Sequence, residues 1–278
     1  MPVRLVVLLC LVLVGCGRSS DRVTSSGLAE LIGNSTIVDL SYAYDETTVY
    51  WPTAPGFELT KEFAGDTDKG YYYAANSFRS AEHGGTHVDA PVHFARGHLT
   101  VDRIPVAQLI GPGVVVDVSS KALAGGDARD YRVSVDDLRE WEARYGRIPE
   151  GTIVLLHTGF SRYWPERAQY MGTDERGEAA VAKLRFPGLA PAAARWLVTE
   201  RSIAAVGLDT PSIDYGQSTM FESHRVLSEA DVPALENLAR LDELPATGFM
   251  VVALPMKIRG GTGAPLRAVA IVEGGGGS

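Results

Sequence analysis

The chain has 278 residues, of which 45% are hydrophobic and 22% are charged. A chain of this length and composition buries a sizeable core, and we predict one large domain. The formal net charge is −8. This charge argues against a nucleic acid partner, because binding to a phosphate backbone requires a basic surface.

The first sixteen residues contain both cysteines of the chain, Cys10 and Cys16. No disulfide is therefore predicted in the folded body. One early arginine is followed by an apolar run over residues 5–14. This pattern is typical of a signal peptide, which we assign to residues 1–15. A permanent transmembrane helix is the weaker interpretation, since the run is shorter than the roughly 20 residues that cross a bilayer.

The junction Leu13-Val14-Gly15-Cys16 resembles a bacterial lipobox, in which the cysteine thiol receives a diacylglycerol and becomes the mature N-terminus. The alternative is an ordinary cleaved signal peptide that contains a cysteine by chance. With the lipobox, residues 16–33 are the lipidated Cys16 and a polar tether. The resemblance implies an exported lipoprotein of the cell membrane or outer membrane. Such a protein faces the periplasm or the exterior and contacts the membrane through its N-terminal lipid only.

A short helix is predicted over 28–33, at the end of the tether, and a strand over 36–42, the latter rich in β-branched residues. Further apolar runs predict buried strands at 113–118, 152–157, 203–208, 248–254 and 267–272.

Helix patterns lie between these strands. Ser134 is a candidate N-cap for a helix over 134–145, and Pro191 begins a helix over 191–200. A third helix is predicted to begin at Ser228 and to carry an apolar stripe. The residues of that stripe are Leu235, Leu238 and Leu241.

Strands that alternate with helices predict an α/β or α+β domain, which we place at residues 34–273. Residues 274–278 have the sequence Gly-Gly-Gly-Gly-Ser. This is the composition of a flexible linker added to a protein, and the tail is left out of the domain.

Three of the six histidines lie in one segment, His83-Gly84-Gly85-Thr86-His87-Val88-Asp89-Ala90-Pro91-Val92-His93. Given the composition of the chain, such spacing arises by chance with a probability on the order of 10⁻⁴ to 10⁻³. The alternative is a polar turn whose histidines bond only to the backbone.

The spacing of His83 and His87 fits one face of a helix, but the two glycines and the proline of the segment oppose a helix. An extended strand instead projects His87, Asp89 and His93 to one side, and the glycine pair lets His83 turn back toward them. The proline confines this strand to an edge or to its end. Imidazole and carboxylate ligands predict Zn²⁺, as one or two ions, with Mn²⁺ as the alternative.

The pattern His-x-Gly-Thr-His-x-Asp-x-Pro-x-His resembles the signature of the cyclase family, which includes bacterial kynurenine formamidases and isatin hydrolases. The resemblance extends over residues 36–273. It implies a swivelling β/β/α domain with mixed sheets and flanking helices, assembled as a homodimer or homotetramer. Other similar segments are Tyr50-Trp51-Pro52, Leu155-Leu156-His157-Thr158-Gly159, the run from Gly207 to Asp214, and the run from Gly260 to Arg267.

In the formamidase branch, the first two histidines and the aspartate of the signature bind metal, and the aspartate bridges two ions. The last histidine donates or accepts a proton. The resemblance therefore implies His83, His87 and Asp89 as metal ligands and His93 as the acid/base group.

The same branch has a further histidine and glutamate twelve residues apart, an interval that His224 and Glu236 match. Without the resemblance, Glu236 is an ordinary exposed glutamate beside the apolar stripe of its helix. Trp51 corresponds to a family tryptophan that lines the substrate pocket, although an aromatic residue at this position also fits a core. His98 and His157 match no ligand position and are interpreted as structural.

Two further segments have open interpretations. Asp209 and Ser212 either shape the site or cap a turn. The glycine-rich stretch over 260–263 lacks the Gly-Lys-Ser/Thr ending of a P-loop, which argues against a phosphate-binding role for it.

The function that the resemblance implies is hydrolysis of a C–N bond in a small linear amide or lactam by metal-activated water. Kynurenine formamidase serves a cytosolic pathway, so export argues for some other amide, lactam or ester. The alternative is a non-catalytic metal-containing lipoprotein that captures a ligand, which has no need of an acid/base group at His93. A purely structural envelope lipoprotein explains none of the histidine clustering.

We expect mass spectrometry of the mature protein to find Cys16 as the N-terminal residue, carrying a diacylglycerol, because a polar tether follows the lipobox-like junction. A mature N-terminus at any other residue, or an unmodified Cys16, would contradict this expectation.

Overall fold

The computed structural model describes residues 32–274. The expected signal peptide, the lipidated cysteine, nearly all of the tether and predicted first helix, and the last four residues of the tail lie outside this range. Contacts between Cα atoms group Ser35–Ser278 into one unit, which carries the fold. Within the described range, no helix has the length and apolar character needed to cross a membrane.

The strands are numbered in chain order. They are β1 (Thr36–Asp39), β2 (Glu58–Asp66), β3 (Tyr72–Arg79), β4 (His87–Asp89), β5 (Ile110–Asp117), β6 (Arg132–Val133), β7 (Ile153–His157), β8 (Gly188–Leu189), β9 (Ala205–Leu208), β10 (Ala234–Glu236), β11 (Phe249–Pro255) and β12 (Gly263–Val272).

The α-helices are short except for two of eleven residues and one of eight. They are α1 (Val106–Leu109), α2 (Ser119–Ala122), α3 (Val135–Tyr145), α4 (Arg167–Tyr170), α5 (Glu178–Val181), α6 (Pro191–Arg201) and α7 (Glu222–Glu229).

The main sheet closes on itself. Its strands follow the order β12, β11, β5, β7, β9, β10 and β4, and β4 pairs again with β12. Strands β5, β7, β9 and β10 are parallel, whereas β4 is antiparallel to both of its neighbours. Strand β1 is added to the C-terminal half of β12, outside the closed ring. The expected mixed α/β fold is confirmed, and its sheet is barrel-like.

The parallel strands are buried on both faces, which explains their continuous apolar runs. In β7, Ile153 and Leu155 pack in one hydrophobic cluster, while the alternate residues Val154 and Leu156 pack in a second cluster against α3 and α6. The predicted strand positions in β5, β7, β9, β11 and β12 are therefore recovered within a few residues, apart from an earlier start for β12.

Helix α3 begins as the sequence predicts. Ser134 accepts a hydrogen bond from the backbone N–H of Asp137, and the Asp137 carboxylate accepts one from the backbone N–H of Ser134. This capping box fixes the first turn. At the far side of the helix, Trp141 donates to the carbonyl of Val115 in β5 over 2.7 Å.

The third predicted helix is wrong. Ser228 lies near the end of α7 rather than before a helix, and Leu235 lies in strand β10. Asn237 and Arg240 have φ values of +54° and +55°, which a right-handed helix excludes. The three leucines at helical spacing instead reach one core cluster from a strand, a loop and a 3-10 turn.

We expect Asp137→Asn to lower the free energy of unfolding by about 1–3 kcal/mol at pH 7, because a buried hydrogen-bonded carboxylate is replaced. Burial raises the pKa of Asp137, but its bonds to Lys121 and Ser134 outweigh burial and hold the pKa below its usual value. The stabilisation is therefore present at neutral pH and is lost as the pH falls through the folded-state pKa. Urea unfolding at several pH values measures both effects.

Asp136→Asn is the matched control, because the Asp136 side chain is 84% exposed while that of Asp137 is 3% exposed. This control should change stability by no more than about 0.5 kcal/mol. Equal losses in the two variants would contradict the assigned role of Asp137.

Candidate metal centre

Strand β4 places two predicted ligands on one face of the closed sheet. His87 and Asp89 are two residues apart, so their side chains project to the same side. Glu236 of β10 is the cross-strand partner of His87 in the antiparallel register. Since β10 is a strand and not the predicted helix, the register of the sheet brings Glu236 to the site.

His83 reaches the same place through a tight turn. Gly85 has φ +57°, and a Cβ atom there would lie 2.5 Å from the Tyr44 ring, so the turn requires glycine. The turn sets His83 Nδ1 2.6 Å from Asp89 Oδ1. The proposed return of His83 across the glycine pair agrees with this geometry.

His93 does not lie on the strand that the sequence predicted for it. Strand β4 ends at Asp89, and Pro91–His93 forms a 3-10 turn, so His93 does not project from the same strand. The physical reason is Pro91, which lacks an N–H group for the ladder and begins the turn. His93 Nε2 nevertheless lies 3.9 Å from Asp89 Oδ2, and its ring stacks on that of His83 with centroids 3.9 Å apart.

Helix α7 supplies the remaining histidine of the cluster. His224 Nε2 lies 3.1 Å from Asp89 Oδ2 and 3.2 Å from Glu236 Oε1. All three side chains are buried. The pair of residues twelve positions apart therefore meets at the aspartate of the signature.

Among the described residues, two groups have the geometry to hold a metal ion. One consists of His83, His87 and Asp89, and the other of Asp89, His224 and Glu236. The ligand atoms of each group lie within 4.8 Å of one another. Oδ1 of Asp89 faces the first group and Oδ2 faces the second. This arrangement fits two ions bridged by Asp89, and His93 belongs to neither group.

Two of the histidines are oriented by acceptors behind them. A carbonyl or carboxylate oxygen only accepts, so His87 Nδ1–H donates to the Gly85 carbonyl over 3.0 Å, and His224 Nδ1–H donates to Asp214 Oδ2 over 2.6 Å. Nε2 of each ring therefore faces the cluster and is the nitrogen available to a metal ion. Metal-binding histidines show this second hydrogen bond almost without exception.

Asp214 and Asn237 were not predicted as site residues. Asp214 also accepts from the backbone N–H groups of Ser223 and His224, which fixes the start of α7 beside the site. Asn237 donates to the same Gly85 carbonyl that His87 contacts. The run ending at Asp214 resembles the family, but the residues alone carry no pattern that assigns Asp214 to a particular histidine.

The donor set fits a bound cation. His87 Nε2 is buried and lies 3.2 Å from Asp89 Oδ1 and 3.5 Å from Glu236 Oε2, yet it has no aligned hydrogen bond within the described residues. Burial raises the pKa of Glu236, and the negative charge of Asp89 raises it further. A positive ion between these groups would use the lone pair of His87 and relieve the repulsion between the carboxylates.

Burial and neighbouring charges compete in setting the pKa values of Asp89 and His93, and a different effect dominates in each. Burial raises the pKa of Asp89, but the charge of His83 and the hydrogen bonds of the histidines outweigh burial and hold it well below its usual range. Burial lowers the pKa of His93 to about 4, and the charge of Asp89 only partly opposes this shift. His93 is therefore neutral at pH 7 in this structure.

A cavity of about 300 Å³ opens onto the cluster. The two ligand groups and His93 line this cavity, and the rest of its lining is largely apolar. The wall residues include Val49, Trp51, Ala54, Phe94, Pro211 and Phe221. Trp51 lines this cavity, and it also packs edge-on against Phe186, whose side chain is fully buried.

The other residues singled out in the sequence lie outside the two ligand groups. Ser212 lines the cavity, whereas Asp209 accepts hydrogen bonds from Thr158 and Gly159 and so ties down the turn after β7. His98 pairs with Asp231 at 3.1 Å and His157 with Asp117 at 3.2 Å. Neither histidine belongs to the two ligand groups, in agreement with a structural role.

Comparison with known proteins gives a consistent result. The family model described as "Putative cyclase" matches residues 38–215. Isatin hydrolase from Roseibium aggregatum is 32% identical over 274 residues, covering 91% of this chain and 98% of that protein. Kynurenine formamidase from Salinibacter ruber is 29% identical over 235 residues, covering 84% and 96% of the two chains.

A solved structure supports the same relationship. A crystal structure of an isatin hydrolase bound to the product analogue thioisatinate superposes with a TM-score of 0.79 at 30% identity, covering 89% of this chain and 97% of that chain. The fold, the signature around Asp89 and the extent of these matches lead to one conclusion: the chain belongs to the cyclase family.

Proposed function

We propose that this protein is a metal-dependent hydrolase that cleaves the C–N bond of a small non-peptide amide or lactam. The observation that carries the proposal is the position of His93, whose imidazole lines an apolar cavity directly beside two ligand groups joined by Asp89. The similarity to isatin hydrolase and kynurenine formamidase supports this class of reaction.

The ligands of the proposed metal are His83, His87, Asp89, His224 and Glu236, and the ions are Zn²⁺ or Mn²⁺. Nitrogen and carboxylate oxygen donors without thiolate suit both ions. Such an ion supplies Lewis acidity, which lowers the pKa of water and polarises a carbonyl oxygen.

The protein's own groups provide positioning and proton transfer. His93 is placed to accept a proton from the attacking water and to return it to the departing nitrogen. The walls at Trp51, Phe94 and Phe221 exclude water and offer flat surfaces to an aromatic substrate. A cavity of about 300 Å³ suits a compound the size of an aryl amide or a bicyclic lactam.

A non-catalytic ligand-capture protein is not favoured, because capture by a metal requires no free imidazole beside the ligands. We also propose that the enzyme is exported, lipid-anchored through Cys16 and assembled as a homodimer or homotetramer. The lipobox-like junction supports the location, and the resemblance to the cyclase family supports the assembly. The identity of the mature N-terminus and the molar mass in solution test these two points.

We expect His93→Ala to keep its metal and to lose about 10²- to 10⁴-fold in rate, because one positioned acid/base group is removed. Turnover of N-formyl anilides, isatin and simple lactones measures the rate, and elemental analysis measures the metal. His87→Ala is the comparison variant, which should lose metal and activity together. His98→Ala, on a histidine outside the site, should retain both.

Loss of metal from His93→Ala would make His93 a ligand and overturn its assigned role. If metal-loaded wild-type protein hydrolyses none of these compounds but binds one of them tightly, the ligand-capture function is correct instead.

A further inference from the structure

Thr262 links His83 to a carboxylate outside the two ligand groups. Its Oγ1 lies 2.6 Å from Glu82 Oε2 and 2.9 Å from His83 Nε2. A carboxylate only accepts, so the hydroxyl gives its single proton to Glu82 and offers only lone pairs to His83. His83 Nε2 therefore carries a proton. Nδ1 faces Asp89 Oδ1 at 2.6 Å, where a proton joins the two atoms when no metal is bound and a metal ion would take the place of that proton.

The backbone holds this threonine on both sides. Its N–H donates to the same Glu82 oxygen over 2.9 Å, and its carbonyl accepts from the N–H of Ala90 over 2.8 Å. Ala90 directly follows strand β4. The hydroxyl that contacts His83 is thus fixed relative to the strand that carries Asp89.

The next residue makes room for the ring. A Cβ atom at Gly263 would lie 2.5 Å from His83 Cε1 and 2.6 Å from the carbonyl oxygen of Val88, distances that no real side chain adopts. The glycine-rich stretch over 260–263 lacks the features of a phosphate loop. Its last residue, Gly263, instead leaves the space that the His83 ring occupies.

His83 consequently differs from the other two histidines of the cluster. His87 and His224 are held by Nδ1 and face the cluster with Nε2, whereas His83 is held by Nε2 and faces it with Nδ1. If His83 Nε2 lost its proton and Nδ1 kept one, Nδ1 would have no lone pair for a metal.

We propose that Thr262 and Glu82 are positioning residues that keep His83 as a metal ligand through Nδ1. This inference rests on the proposed metal-dependent function. Both residues act through His83 and not on the substrate.

The direct test is nuclear magnetic resonance of the Zn²⁺-loaded wild-type protein with ¹⁵N-labelled histidine. We expect His83 to be protonated at Nε2 and to bind Zn²⁺ through Nδ1, with the opposite pattern for His87 and His224. Coordination of Zn²⁺ by Nε2 of His83 would overturn the proposal.

Variants test the two residues separately. Thr262→Val removes the hydroxyl with little change in shape and should weaken Zn²⁺ binding by about 10- to 100-fold, measured by competition with a chelator. Thr262→Ser keeps the hydroxyl and should bind as the wild type does. A Thr262→Val variant with wild-type affinity would refute the role of Thr262.

Glu82→Ala provides a second route if Thr262→Val does not fold. It frees the threonine proton, so we expect His83 to populate both tautomers and Zn²⁺ to bind more weakly. A single unchanged tautomer with unchanged affinity would contradict the proposal. Wild-type protein that binds no metal at all would instead overturn the proposed function, so the two failures are distinguishable.

Discussion

The site depends on one buried carboxylate, Asp89, whose two oxygens face different sets of ligands. Oδ1 faces His83 and His87, and Oδ2 faces His224. A charged carboxylate in the interior is costly unless cations or hydrogen bonds compensate it. The surrounding imidazoles partly provide this compensation, and a bound cation would complete it.

The closed sheet determines where Asp89 lies relative to the other site residues. Strand β4 has only three residues, yet it pairs with β10 on one side and β12 on the other. The first pairing brings Glu236 opposite His87, and the second brings Gly263 opposite Asp89, next to Thr262. This three-residue strand therefore joins the signature to the two distant segments that complete the site.

Much of the site could be predicted from local sequence. Two glycines and a proline in the histidine segment excluded a helix there, whereas the candidate ligands His224 and Glu236 came from the resemblance to the cyclase family and not from a local pattern. Elements with their own local cause, such as the capping box at Ser134, were also predicted correctly. For the histidine segment and the capping box, the residues that determine the structure are neighbours in the chain.

The errors and omissions mostly concern elements whose structure depends on residues far away in the chain. Leu235, Leu238 and Leu241 have helical spacing, but β10 forms because its neighbours β9 and β4 offer hydrogen bonds, and backbone at positive φ at Asn237 then ends it. Thr262 and Asp214 act on histidines 179 and 10 residues away. The long hairpin of β2 and β3 was not predicted, because its strands are mostly exposed and lack a regular apolar alternation.

The most direct test of this account is a crystal structure of the purified protein with anomalous diffraction measured at the metal absorption edge. The account predicts a metal peak bonded to an Asp89 oxygen at about 2.0–2.2 Å, with the remaining ligands drawn from the two groups that share this residue. A metal bound elsewhere in the protein, or held by the histidines without Asp89, would contradict it.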